Sequence, residues 1–124
     1  VIRAAIPAFI VVGVVAATVR AHGAPPPGTD MDSPVAKWFQ SQHQLTSGMS
    51  CCGLGDGHTL DDDEWRESGD HYQVRINGNW VDVPARGKVD PAGGPNPTGK
   101  AVVWYTLFDS NFPVIFCFLP GTMM

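Results

Sequence analysis

The chain has 124 residues, 44% hydrophobic and 16% charged, with twelve acidic side chains against eight basic ones and a formal net charge of −4. That length holds one domain with a single modest core. An acidic surface repels phosphate backbones, which argues against nucleic acid as a partner, and it disfavours contact with anionic membranes.

Residues 1–21 read as a signal peptide. Arg3 gives a short positive start, and Ala4 to Val19 is apolar apart from Pro7, Gly13 and Thr18. Val19-Arg20-Ala21 then places small or β-branched residues at the −3 and −1 positions of a cleavage site. The rival reading is a retained anchor, but a spanning helix needs about 20 apolar residues and Arg20 ends this stretch early. Cleavage after Ala21 leaves 103 residues with a charge of −6, because Arg3 and Arg20 depart with the leader. The expected location is periplasmic or secreted, with membrane contact only if the segment is kept. Residues 22–32 form a linker, since Pro25, Pro26 and Pro27 remove backbone donors and fix φ. Residues 33–124 form one small domain.

Ser33 to Gln44 predicts a first short helix. Ser33 suits the N-cap, Pro34 suits the first helical position, and Val35, Trp38 and Phe39 make an apolar stripe. Gly53 to Gly57 carries three glycines and predicts a tight irregular loop. Thr59 to Ser68 predicts a second short helix. Thr59 can cap it, Asp61, Asp62, Asp63 and Glu64 meet the positive end of its dipole, and Gly69 can stop it. The same acidic run lacks the EF-hand spacing that calcium would need.

The clearest local signal is a hairpin. His71–Ile76 and Asn79–Val83 flank Asn77-Gly78, and both central residues of such a turn need φ > 0. The register then pairs Ile76 with Asn79, Val74 with Val81 and Tyr72 with Val83. It also sets Arg75 against Trp80 on the outer face, in reach of a cation–π contact. Lys88 to Gly99 is a Pro- and Gly-rich loop. Ala101–Thr106 and Val114–Leu119 are apolar on both faces and predict the buried centre of the sheet, joined by a turn at Asp109-Ser110-Asn111. The expected fold is α+β: two short N-terminal helices and a mainly antiparallel sheet of about four strands, built as two hairpins and stabilised by a disulfide.

Cysteine chemistry carries the functional signal. Cys51 and Cys52 are adjacent, and Cys117 is the third. In an oxidising compartment three thiols give one bridge and one remaining thiol. A 51–52 bridge is sterically poor, since adjacent Cα atoms lie about 3.8 Å apart, below the usual range of roughly 4.4–6.8 Å. Cys117 therefore pairs with Cys51 or Cys52. A second reading makes Cys51, Cys52, Asp56 and His58 a soft-metal site, for which thiolate and imidazole suit zinc or copper. Its spacing lacks the separated pairs of a zinc framework, and the bridge consumes a ligand. A thioredoxin-like role lacks Cys-x-x-Cys. His43, His58 and His71 share no close spacing on one element, and no nucleophile elbow is present. Trp65, Arg75 and Trp80 form a candidate binding surface, since aromatics beside polar groups are common at interfaces.

Several motifs together resemble a group of small exported alphaproteobacterial proteins. They are Ser50-Cys51-Cys52 with Asp56, the hairpin ending in Trp80 and Pro84, Asn96-Pro97-Thr98-Gly99 before Val103-Trp104, and Cys117-Phe118-Leu119-Pro120-Gly121. The likeness spans about residues 38 to 121. It implies export and a disulfide-bearing β-rich fold, and it implies no activity. Many members read Ser-Cys-Cys-x-x-x-Asp-Cys, and Gly57 stands where their last cysteine falls. If the group forms two bridges, this chain has lost one partner. The expected function is a non-enzymatic binding or interaction module, with no cofactor and an unspecified partner. The alternative is a metal-binding or thiol-active protein built on the Cys-Cys loop.

Overall fold

A computed structural model describes residues 27–52, 56–109 and 111–121. The signal-peptide reading and the start of the linker lie outside those residues. Among them stand one helix and six strands: α1 (Pro34–Ser41), β1 (Gly57–Leu60), β2 (Trp65–Ser68), β3 (His71–Ile76), β4 (Asn79–Asp82), β5 (Ala101–Phe108) and β6 (Phe112–Leu119). Two three-stranded antiparallel sheets result, one ordered β1-β5-β6 and the other β2-β3-β4. The architecture is mostly β, in place of the two-helix α+β arrangement expected.

The first helix forms as its sequence dictates. Ser33 Oγ accepts from the Ala36 N–H at 3.1 Å, and Pro34 occupies the first turn. The buried face is Ala36, Trp38 and Phe39, whereas Val35 is exposed. The helix ends at Ser41 rather than Gln44, because Gln42 leaves it in extended conformation and its amide donates back to the Trp38 carbonyl at 2.9 Å.

The second helix is a correction. Residues 57–68 form β1 and β2, joined by a turn in which the Glu64 N–H donates to the Asp61 carbonyl at 2.9 Å. A helix over Thr59–Ser68 would carry only Leu60 and Trp65 as large apolar residues. Five positions apart, they make no single stripe, and so short a helix is marginal without a packed face. As strands, both side chains enter one core. Gly69, expected to stop a helix, instead takes φ +64 in the turn between β2 and β3.

Both expected hairpins form. Val74 faces Val81, Arg75 faces Trp80 and Ile76 faces Asn79, while the Val83 N–H donates to the Tyr72 carbonyl at 2.9 Å. Asn77 and Gly78 take φ of 50° and 81°. In the other hairpin the strands run two residues further toward the turn than expected, through Phe108 and Phe112.

The β1-β5-β6 sheet is the middle of three layers, which explains why β5 is apolar on both faces. Ala101 and Val103 join Leu60, Trp65, Val74 and Phe118 between the two sheets. Val102 and Trp104 join Trp38, Phe39, Cys51 and Val89 on the helix side. Trp104 is fully buried, with ring centroids of Trp38 and Phe39 at 5.9 and 5.6 Å.

Candidate functional site

The cysteine run lies on the helix side of the middle sheet. Cys51 and Cys117 form the disulfide, with Cα atoms 5.5 Å apart and a sequence separation of 66. The face that Cys117 presents depends on a bulge. Trp104 pairs with Cys117, but Tyr105 pairs with Ile115, which leaves Phe116 as the extra residue in β6. Strict alternation would put Ile115 and Cys117 on one face. The bulge instead sends Ile115 and Phe118 between the sheets and Cys117 toward Cys51. Buried Gln44 donates to the Phe116 carbonyl at 2.6 Å, so the displaced backbone is satisfied. Gln44 arrives there on a short ladder, with His43 bridged to Ser50 and Gln44 to Val89.

Cys52 remains a thiol and is half-buried. Its φ is 83°, in the left-handed region that a side chain disfavours. Its Sγ lies 3.5 Å from the Ser50 carbonyl oxygen. Burial, aided by the charge of Asp56, pushes the thiol up to about 11. Asp56 is itself buried, and its carbonyl accepts from the Tyr105 N–H at 3.0 Å. His58 sits on β1 with its ring 4.8 Å from that of Tyr105. Desolvation lowers its pKa, with Asp56 opposing the shift. Of the four residues of the metal reading, Cys51 is therefore committed to the disulfide. Among the described residues, three ligand atoms come within 4.8 Å of one another only at Asp61, Asp63 and Glu64. That exposed group turns a loop, and Asp61 is held by Lys100 at 2.9 Å.

Gly57 follows Asp56 and is sterically fixed. A Cβ there would lie 2.6 Å from Phe39 Cδ1 and 3.0 Å from Trp104 Nε1. Phe39 thus occupies the space that any side chain at position 57 would need.

The proposed aromatic surface is rearranged. Trp65 is a core residue, 6% exposed, packed 6.0 Å from both Tyr72 and Phe118. It drops out of the surface because β2 turns its odd-numbered start inward, where a helix would have left its face undefined. Trp80 stays on the outer face of the second sheet, with Arg75 at 5.9 Å from its ring centroid and Arg66 closer, at 3.9 Å. Arg66 was hidden from the sequence because its strand read as a helix. On the same face His71 is clasped between Asp70 and Asp82, both at 3.0 Å. Hydrogen bonds to Asp70 and then Asp82 raise its pKa.

The open end of the molecule holds the largest exposed apolar side chains. Phe108 and Phe112 pair across the β5–β6 hairpin beside its turn and are 57% and 67% exposed. One residue along each strand, Leu107 and Pro113 also pair, and by alternation they face the opposite way. They form one wall of a cleft of about 410 Å³, and Asn77, Asn79 and Val81 of the β3–β4 hairpin form the other. None of the described residues lining it is ionisable. A second cavity, of about 440 Å³, lies where Tyr72, Val83 and Phe118 meet, with His71 and Lys88 at its rim.

The disulfide accords with an oxidising, non-cytoplasmic environment. No helix among the described residues is long and apolar enough to cross a membrane. No family model, no curated protein and no solved structure matches the chain.

Proposed function

We propose that the chain is an exported, non-enzymatic interaction module that docks through the open end of its two sheets. The observation that carries this reading is the uncharged cleft between the hairpin tips, flanked by two phenylalanines that are more than half exposed. Soluble domains seldom leave paired aromatic rings in water unless a partner covers them. The chain as a whole is acidic, and the cleft walls carry no ionisable group among the described residues, with Asp109 the charged residue of the tip beside them. Export is supported by the apolar leader, by the likeness to small exported proteins and by the disulfide. The metal or thiol alternative rests on Cys52, Asp56 and His58, and a thiol pushed up to about 11 is a poor nucleophile at neutral pH.

Two measurements test the proposal. Intact mass after expression with the native leader reports cleavage near Ala21 and the number of thiols that a blocking reagent reaches. One modified thiol and loss of residues 1–21 support the export reading; an intact leader overturns it. For docking, the probe is 8-anilinonaphthalene-1-sulfonate at low protein concentration. Phe108→Ser and Phe112→Ser should lower dye fluorescence several-fold with the melting temperature unchanged. Fluorescence at the wild-type level in both variants sinks the docking surface.

A further inference from the structure

We infer that two copies of this chain clasp each other through their open ends, each placing its Phe108/Phe112 tip into the cleft of the other. This rests on the reading of that end as the docking surface, and it names the partner. Three observations point to a second copy.

The first is geometric. A two-fold interface must be self-complementary, so one patch has to carry both the protruding and the receiving parts. Here the protruding rings and the cleft share a single hairpin tip, on opposite faces: Phe108 and Phe112 on one, Leu107 and Pro113 on the other. Interdigitation uses both faces at once. The rings of one copy meet the Asn79 and Val81 wall of the second, and Leu107 and Pro113 meet their own counterparts across the axis.

The second is electrostatic. The exported chain, without Arg3 and Arg20, carries a formal charge of −6, so two copies repel over most of their surfaces. The cleft walls bear no ionisable group among the described residues, so the Asp109 that each tip carries enters an uncharged cleft and meets less repulsion there than on the acidic remainder of the chain.

The third is area. Whole aromatic side chains bury about 150–250 Å² each. At 57% and 67% exposure, the two rings of each tip offer roughly 250 Å². Both tips and the walls they cover then give about 1,000 Å² in total, near the lower bound for a specific interface. The dimer is accordingly weak and reversible.

Sedimentation equilibrium of the oxidised protein between about 5 and about 500 µM tests this, a range in which weak, reversible dimers form and dissociate. A monomer–dimer equilibrium is expected. Phe112→Asp on the tip and Asn79→Lys on the wall should each weaken it at least about tenfold. Both positions are exposed, so an unchanged melting temperature is expected in each variant. An equimolar mixture of the two variants should recover a heterodimer, because one of its two contacts then sets Asp against Lys. A monomer at all concentrations, or a dimer indifferent to both substitutions, overturns the inference. A monomer that floats with phosphatidylcholine vesicles also overturns it, with the tip then meeting lipid. In either monomeric outcome, dye binding that still depends on Phe112 leaves the docking surface standing, whereas its absence removes both.

Discussion

Gln44 donates a hydrogen bond of 2.6 Å to the carbonyl oxygen of Phe116, the residue displaced from the β5–β6 ladder. That contact holds the bulge, and the bulge aims Cys117 at Cys51. Gln44→Leu removes this donor from the part-buried Phe116 carbonyl, and a hydrogen bond of this kind contributes about 0.5–1.5 kcal/mol. Urea unfolding should show a lower midpoint. An unchanged midpoint would mean that the bulge is held by other contacts.

The disulfide closes a long loop between the helix layer and the middle sheet. For a separation of 66 residues, the chain-entropy model gives about 4 kcal/mol. The double variant Cys51→Ala/Cys117→Ala should lose about that much, and dithiothreitol should shift the wild type in the same direction. Cys52→Ser should unfold like the wild type. Equal unfolding curves with and without reductant would refute a stabilising bridge.

Cys52 should react slowly. With a pKa pushed up to about 11 against an ordinary 9.0, its thiolate fraction at pH 8 is roughly a hundredfold lower than usual. Iodoacetamide alkylation followed by mass should therefore be slow at pH 8 and accelerate until about pH 11. Asp56→Asn should speed it by removing the nearby negative charge. Rapid labelling at pH 7 would contradict the buried setting of this thiol.

Gly57 is held without a side chain by Phe39. Gly57→Ala drives a Cβ to 2.6 Å from the Phe39 ring, and such overpacking costs about 1–3 kcal/mol. Phe39→Leu in the same chain should recover part of the loss, giving a coupling energy in a double-mutant cycle. Additive effects would show that the two positions do not compete for space.

The His71 clasp should make stability pH-dependent. Its folded pKa is raised above 6.5, first by Asp70 and then by Asp82, so its contribution is complete below about 6.5 and is lost as pH rises through the folded value. Asp70 is lowered below 3.8 mainly by His71, and Asp82 is lowered first by Gln73 and then by His71. Their share is present above about 3.8 and is lost as pH falls through the folded values. The clasp is thus complete between about pH 4 and 6.5. Imidazole titration by NMR should give a value above 6.5 that drops in Asp82→Asn. A value at or below 6.5 would show that the carboxylates do not hold the ring.

Much of the local structure was legible because neighbouring residues dictate it. Asn77-Gly78 set the turn and register of the first hairpin, and Ser33-Pro34 set the start of the helix. The candidate surface was only half legible. The pairing of Arg75 with Trp80 followed from that register, whereas Arg66 and the buried place of Trp65 required knowing that residues 65–68 are a strand. Leu60 and Trp65, five apart, satisfy no period over so short a span, and the acidic run between them serves a turn as well as a helix start.

The sequence by itself determined the two hairpins, the helix start and the doubly apolar β5, because each depends on contacts within a few residues or on a face-by-face alternation. It also narrowed the disulfide to Cys117 with one of two adjacent thiols. Only the tertiary structure decided between them: the bulge at Phe116 turns Cys117 to the helix side, where Cys51 is buried in the same cluster, whereas Cys52 is only half-buried at φ 83°. It likewise decided that the tips of the two hairpins part to form a cleft, a relation between elements in different sheets that no local pattern encodes.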